Sequence, residues 1–261
     1  MSPVEFLEAR LARLTLSPRL RAHAYGEIRS GADVFPLRAF SWGAEGLPAV
    51  MVFGGVHGDE PCGVEACARL LERLAEGYAP LTGHQFLIFP CVNPSGLADG
   101  TRSNRAGQDV NRQFHADATA ETTAVRRFLR PMPPDVVIDL HTDAQAQGFY
   151  LFELKRGGVG ALAVPVLEAL TAAGVALEDA PYYAGHVGEC GLLAPTAAVL
   201  EEFHRRAPGL ALTDWAWSLG VHRSYCFEVA FSGDVGRGAA THLTALTALF
   251  AALEDGPARA A

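Results

Sequence analysis

The feature that most constrains this chain is the apolar run Ala-Val-Met-Val-Phe-Gly at residues 49–54, followed by Gly55-Val56-His57-Gly58-Asp59-Glu60. A run with no polar member is a strand buried on both faces, which needs helices above and below it. A helix pattern follows over residues 60–74, where Val64, Cys67, Ala68 and Leu71 share one face. The unit then repeats, with strands at 85–91, 135–140 and 149–154 and helices at 122–129 and 161–172, the polar loop 93–109 lying between the first two strands. Residues 34–42 form another strand. Downstream, 196–206 and 214–219 read as helices, 224–231 as a strand and 239–253 as a closing helix. Alternation of this kind predicts an α/β sheet with helices on its faces.

With 261 residues and no Pro/Ser-rich linker or internal repeat, the chain reads as a single domain over 1–261. Residues 1–24 form a helical N-terminal extension, because Val4, Leu7, Leu11 and Leu14 recur at helical spacing. Hydrophobic residues make up 49% and charged residues 19%, which excludes disorder as the main theme. A net charge of −8 argues against a nucleic-acid partner. The N-terminal segment carries Glu5, Glu8, Arg10 and Arg13 and reads as no export signal, and the apolar tract 159–176 is broken by Pro165 and Glu168, so no membrane partner is expected. The scattered cysteines Cys62, Cys67, Cys91, Cys190 and Cys226 read as reduced thiols, which points to the cytoplasm. Oligomeric state is not readable from the sequence.

His57 and Glu60 stand three residues apart at the start of a helix, a spacing that can turn an imidazole and a carboxylate toward one point. The pair is either half of a metal site or an ordinary helix start. A third ligand stands at His141, at the end of the apolar strand Val136-Val137-Ile138-Asp139-Leu140, where ligands of open α/β sheets gather. The alternative for His141 is a buried histidine bonded to Asp139 or Asp143. Between these motifs, Arg102, Arg105 and Arg112 form a cationic loop in an acidic protein, suited to a carboxylate or to a developing oxyanion, or else simply solvated.

Taken together, His57-x-x-Glu60, Asn93-Pro94-x-Gly96, Arg102, Asp109-x-Asn111-Arg112, Glu121-Thr122, Asp139-Leu140-His141-Thr142, Asp214-Trp215-Ala216 and Ser224-Tyr225-Cys226-Phe227-Glu228 resemble the zinc carboxypeptidase family over roughly residues 25–254. The resemblance implies a mixed, mostly parallel eight-stranded sheet with helices on both faces and one zinc ion. It implies His57, Glu60 and His141 as ligands, Asp109 as the partner of the His57 ring, Arg102 on the scissile carbonyl, Asn111 and Arg112 on the substrate carboxylate, and Glu228 as general base. A charge amid Tyr225, Phe227, Val229 and Phe231 is costly without a partner, which suits that last role.

The resemblance has gaps. Digestive members carry a capping tyrosine about eight residues before the Asp-Trp-Ala motif; here that stretch, 201–208, has none, which leaves Tyr182, Tyr183 or His186 to supply a cap. Thr213 stands where a residue helps set side-chain preference, which implies no simple preference for basic or large aromatic residues. The length is closer to the small bacterial members that trim cell-wall peptides. The phrase Gly-Gly-Val-His-Gly-Asp-Glu-Pro also resembles the desuccinylase and aspartoacylase branch, ranked second because only a helix pattern follows Glu228.

The reading is therefore a zinc-dependent carboxypeptidase acting on a small peptide, with an N-acyl amino acid deacylase or a murein-peptide amidase as alternatives. A catalytically silent zinc- or peptide-binding protein is the rival from another class. A dinucleotide reading rests on Gly158-Val159-Gly160-Ala161-Leu162-Ala163, and no Gly-x-Ser-x-Gly occurs. Lys155 is the only lysine, and Leu154 before it rules out a phosphate-binding loop of the GxxxxGK[ST] kind.

Overall fold

The computed structural model describes residues 2–80, 82–115, 118–130, 134–156, 161–183, 185–206 and 209–255. The chain opens with α1 (Pro3–Leu14), whose start is fixed reciprocally: Glu5 N donates to Ser2 Oγ at 3.2 Å and Ser2 N to Glu5 Oε2 at 2.7 Å. Val4, Leu7, Leu11 and Leu14 are all buried, as their spacing predicts.

Strands β1 (Arg21–Ser30), β2 (Asp33–Trp42), β3 (Ala49–Gly54), β4 (Gln85–Phe89), β5 (Val136–Asp143), β6 (Tyr150–Lys155), β9 (Leu192–Leu193) and β10 (Arg223–Ala230) form one sheet, ordered β1-β2-β4-β3-β5-β10-β6-β9. Of its seven pairings, β3·β4, β3·β5, β5·β10 and β6·β9 are parallel. A separate hairpin joins β7 (Tyr182–Tyr183) to β8 (His186–Val187). The mixed, mostly parallel eight-stranded sheet is the one implied above.

Helices cover both faces. Even-numbered residues of β3 and β5, such as Val50, Val52, Ile138 and Leu140, share one core with α1, α2 (Pro61–Glu76), α5 (Ala163–Ala172) and α8 (Val235–Asp255). Odd-numbered residues, Met51, Phe53 and Val137, share the other with α4 (Ala120–Leu129) and α7 (Leu212–Ser218). Phe53 and Phe89 stack there at 4.3 Å. The remaining helices are α3 (Pro94–Asp99) and α6 (Ala197–Arg206). Among the described residues, no helix is long and apolar enough to cross a membrane.

Besides the two-residue strands β7, β8 and β9, two elements escape the sequence reading. β1 is an edge strand in which only Ile28 is buried, so it lacks an apolar pattern. α3 lies inside the expected polar loop, started by Asn93, whose Oδ1 accepts from Gly96 N at 2.9 Å, with Pro94 at the first helical position. The glycines 158 and 160 of the dinucleotide reading lie outside the described residues.

Candidate metal centre and substrate cavity

The parallel strands β3, β5 and β10 end on the same side of the sheet, and their register builds the site. His141 of β5 is the pairing partner of Glu228 in β10, and Asp139 that of Cys226. In the antiparallel pair on the other side of β10, Glu228 faces Tyr150 and Cys226 faces Phe152. Side chains of paired residues share a face. Asp139, His141, Cys226, Glu228, Tyr150 and Phe152 therefore project together onto the α7 side.

His57 reaches the same point through the turn after β3. Gly55 there adopts φ +60°, and a Cβ on Gly58 would lie 2.0 Å from the backbone of Gly96, so the turn is pressed against α3 in a path that only glycine allows. Glu60, directly before α2, carries its carboxylate between the two imidazoles. His57 Nδ1 is 2.7 Å from Glu60 Oε1, His141 Nδ1 is 2.7 Å from Glu60 Oε2, and Thr142 N donates to Oε2 at 3.0 Å.

One nitrogen or oxygen from each of His57, Glu60 and His141 lies within 4.8 Å of the others, and all three residues are buried. This donor set fits a zinc ion. Both rings turn Nδ1 inward, and each backs its Nε2 on a carboxylate: His141 on Asp139 Oδ2 at 2.7 Å, His57 on Asp109 Oδ1 at 3.3 Å. Outer carboxylates of this kind fix the tautomer that leaves the inner nitrogen free to ligate. Three protein donors leave a position open, the pattern of a catalytic zinc. The alternative of His141 bonded to Asp139 is met as well, because the bond uses the outer nitrogen.

The electrostatics follow from this crowding. Burial opposes ionisation of Glu60, but His141 and His57 outweigh it and hold the carboxyl well below the usual range. Burial likewise opposes the charge on His141, and Asp139 and Glu60 overcome it, raising its pKa. Asp109 is held low, against its burial, by His57, Arg102 and Arg112. Glu228 goes the other way: burial raises its carboxyl, His141 draws it down and Glu60 and Asp143 push it up, which together leave it at about 8.

Arg102 donates through Nε to Asp109 Oδ2 at 3.1 Å, and its Nη1 lies 3.7 Å from Glu60 Oε1. Asn111 accepts from Leu212 N at 2.8 Å, which ties it to the start of α7, and Arg112 donates to the Asn111 carbonyl at 2.8 Å. These residues border a cavity of about 420 Å³ that also meets His57, Glu60, His141 and Glu228. His57, Glu60, His141, Glu228, Arg102 and Arg112 thus converge on one cavity, with Asp109 one step behind it, whereas Arg105, the third arginine of the loop, pairs instead with Asp33 and Asp99. Thr213 lines it as well.

Tyr182 does not join them. It stands in the β7–β8 hairpin, 65% exposed, and is not among the described residues that line the cavity; the side chain of Tyr183 lies outside the described set. Tyr150 lines the cavity instead and donates to Asp143 Oδ2 at 2.8 Å. Sequence reasoning missed Tyr150, Cys226 and Phe152. The alternation of β6 held the signal, because it sets Tyr150, Phe152 and Leu154 on one face once the register with Glu228 is known. Cys62 is fully buried on α2 and packs against Gly238 of α8.

Fold and site together define a zinc-carboxypeptidase-like α/β protein. A candidate metallopeptidase from Shewanella denitrificans superposes with a TM-score of 0.78 at 18% identity, covering 95% of this chain and 90% of that one. A metallo-carboxypeptidase from Burkholderia cenocepacia gives 0.69 at 18% identity, covering 96% and 69%. Residues 46–178 match the model of the succinylglutamate desuccinylase/aspartoacylase catalytic domain, and the chain belongs to that family of metallohydrolases. Among curated relatives, a succinylglutamate desuccinylase from Paraburkholderia xenovorans is 32% identical over 126 residues, covering 42% of this chain and 36% of that protein. Murein peptide amidase A from Escherichia coli is 34% identical over 104 residues, covering 40% of each. The matches thus span well under half the length of these relatives.

Proposed function

We propose that the chain is a zinc-dependent amidohydrolase that cleaves an amide bond adjacent to a free carboxylate, in a small peptide or an N-acyl amino acid. The observation that carries this reading is one cavity bordered at once by the His57/Glu60/His141 donor set, by Glu228 and by two guanidinium groups. His57, Glu60 and His141 would hold the ion, with Asp109 and Asp139 orienting the rings. Zinc, when bound, supplies Lewis acidity toward water and toward an amide carbonyl. Glu228 accepts the proton of the attacking water and returns it to the departing amine nitrogen. Arg102 stabilises negative charge on the carbonyl oxygen, and Asn111 with Arg112 binds the substrate carboxylate through parallel donors.

The family match supports the N-acyl amino acid as substrate alongside the peptide, since its matched stretch spans both His57-x-x-Glu60 and His141. Both share the element acyl–NH–CHR–carboxylate, and the site as drawn requires no more than that. The test is hydrolysis of N-acetyl and N-benzoylglycyl amino acids by the zinc-loaded chain. Turnover that a chelator removes and zinc restores is the expected result; turnover indifferent to the chelator would defeat the proposal.

A further inference from the structure

Resting on that reading, the walls of the cavity say which carboxylate-bearing residue it takes. We infer that the site rejects a second carboxylate on the side chain of the residue that carries the free carboxylate, and takes an aliphatic side chain there in preference to an acidic one.

The placement follows from covalent and hydrogen-bonded neighbours. Asn111 and Arg112 are the proposed carboxylate anchors, and Asn111 Oδ1 is clasped by Leu212 N at the start of α7. The side chain of a residue anchored there meets what α7 and the facing strands present. α7 and the residue before it present Ala211, Thr213 and Asp214; β6 presents Phe152 and Leu154, in register with β10, which presents Cys226; α6 presents Leu200. Ser224 Oγ donates to the Thr213 carbonyl at 3.4 Å, which closes α7 against β10. Apart from Asp214 these side chains carry no charge at neutral pH, and burial raises the Cys226 thiol still further from ionisation.

The charge balance of the lining excludes an acidic side chain. Among the described residues that line the cavity, the cations apart from imidazoles are Arg102 and Arg112, one already paired with Asp109 and the other reserved for the first carboxylate. Asp59, Glu60, Asp143, Asp214 and Glu228 line the same space. A second carboxylate would lose its water against apolar carbon and carboxylates with no donor charge to meet it. Succinylglutamate, which gives half of the family its name, carries such a carboxylate on its glutamate, so this chain departs from that substrate.

The test compares the N-acetyl and N-benzoylglycyl derivatives of leucine and of glutamate with the zinc-loaded wild-type chain. The expected kcat/KM for leucine is on the order of 100-fold above that for glutamate. Glutamate derivatives cleaved as well as leucine would overturn the inference. If none is cleaved, the hydrolase reading fails on its own, and calorimetry of the same ligands on zinc-loaded Glu228→Gln decides the selectivity: tighter binding of leucine upholds it, and equal, reversed or absent binding ends it. Thr213→Arg, checked for folding by circular dichroism, is expected to bring glutamate to within about tenfold of leucine by supplying the missing cation. A folded Thr213→Arg with an unchanged ratio would show that this wall does not face the side chain.

Discussion

The two ends of the cavity are built on different plans. At the metal end, His57, Glu60 and His141 are each less than a tenth exposed, and every ring nitrogen and carboxylate oxygen has a charged or polar neighbour within 3.3 Å. At the far wall, mostly apolar side chains arrive from β6, β10, α6 and α7, and Cys226 Sγ donates to Glu228 Oε1 at 3.6 Å. The difference teaches a division of labour. The metal end is held by close polar neighbours and suits chemistry that tolerates little displacement; the wall, apart from Cys226, rests mainly on packing and can change selectivity without disturbing the donors.

The comparison breaks most sharply at Glu228. Glu228→Gln should lower kcat by 10³-fold or more while zinc content stays at the wild-type level, checked by steady-state kinetics beside elemental analysis. Next in size is Arg112→Ala at the junction of the two ends, which should raise KM by roughly 100-fold for free carboxylates and much less for the amidated analogues; equal effects would remove its role as anchor. Asp109→Asn should weaken zinc about 10- to 100-fold, measured by competition with a chromogenic chelator, and leave the preference among side chains unchanged.

The smallest effect is a pH dependence of stability in the metal-free chain. The Glu228 carboxyl sits at about 8 when folded against an ordinary 4.5, so the fold favours its protonated form. Its ionisation therefore costs stability progressively as pH rises from about 4.5 to 8. Glu228→Gln removes that cost, so its Tm advantage over wild type should be near zero at pH 4 and reach a few °C, on the order of 3–8, above pH 8. A Tm difference independent of pH would place Glu228 in a more polar setting than the one described.

The same division explains what the sequence discloses. His57-x-x-Glu60 and Asp139-Leu140-His141 are short motifs at the ends of apolar strands, so residue spacing and strand polarity suffice to bring them together. Strands β3 and β4 are equally legible, because burial on both faces leaves no polar residue inside them past Gln85. The wall is not legible in that way. Tyr150, Phe152 and Cys226 meet only through the β6–β10 register, an antiparallel pairing between segments some seventy residues apart, and no local pattern states it. For the same reason Tyr182, an aromatic in a suggestive loop, looked like a cap, yet it stands exposed on a hairpin. β1 was hidden by its position at the sheet edge, where one buried residue leaves no periodic signal.

Metal analysis of the purified chain beside an identically prepared His57→Ala variant bears most directly on the whole account. About one zinc per chain in the wild type, lost in the variant together with amide hydrolysis, is the predicted result. A wild-type chain that neither holds zinc nor takes it up at micromolar concentration would contradict it, and the cavity would then have to be understood as a binding site without hydrolysis.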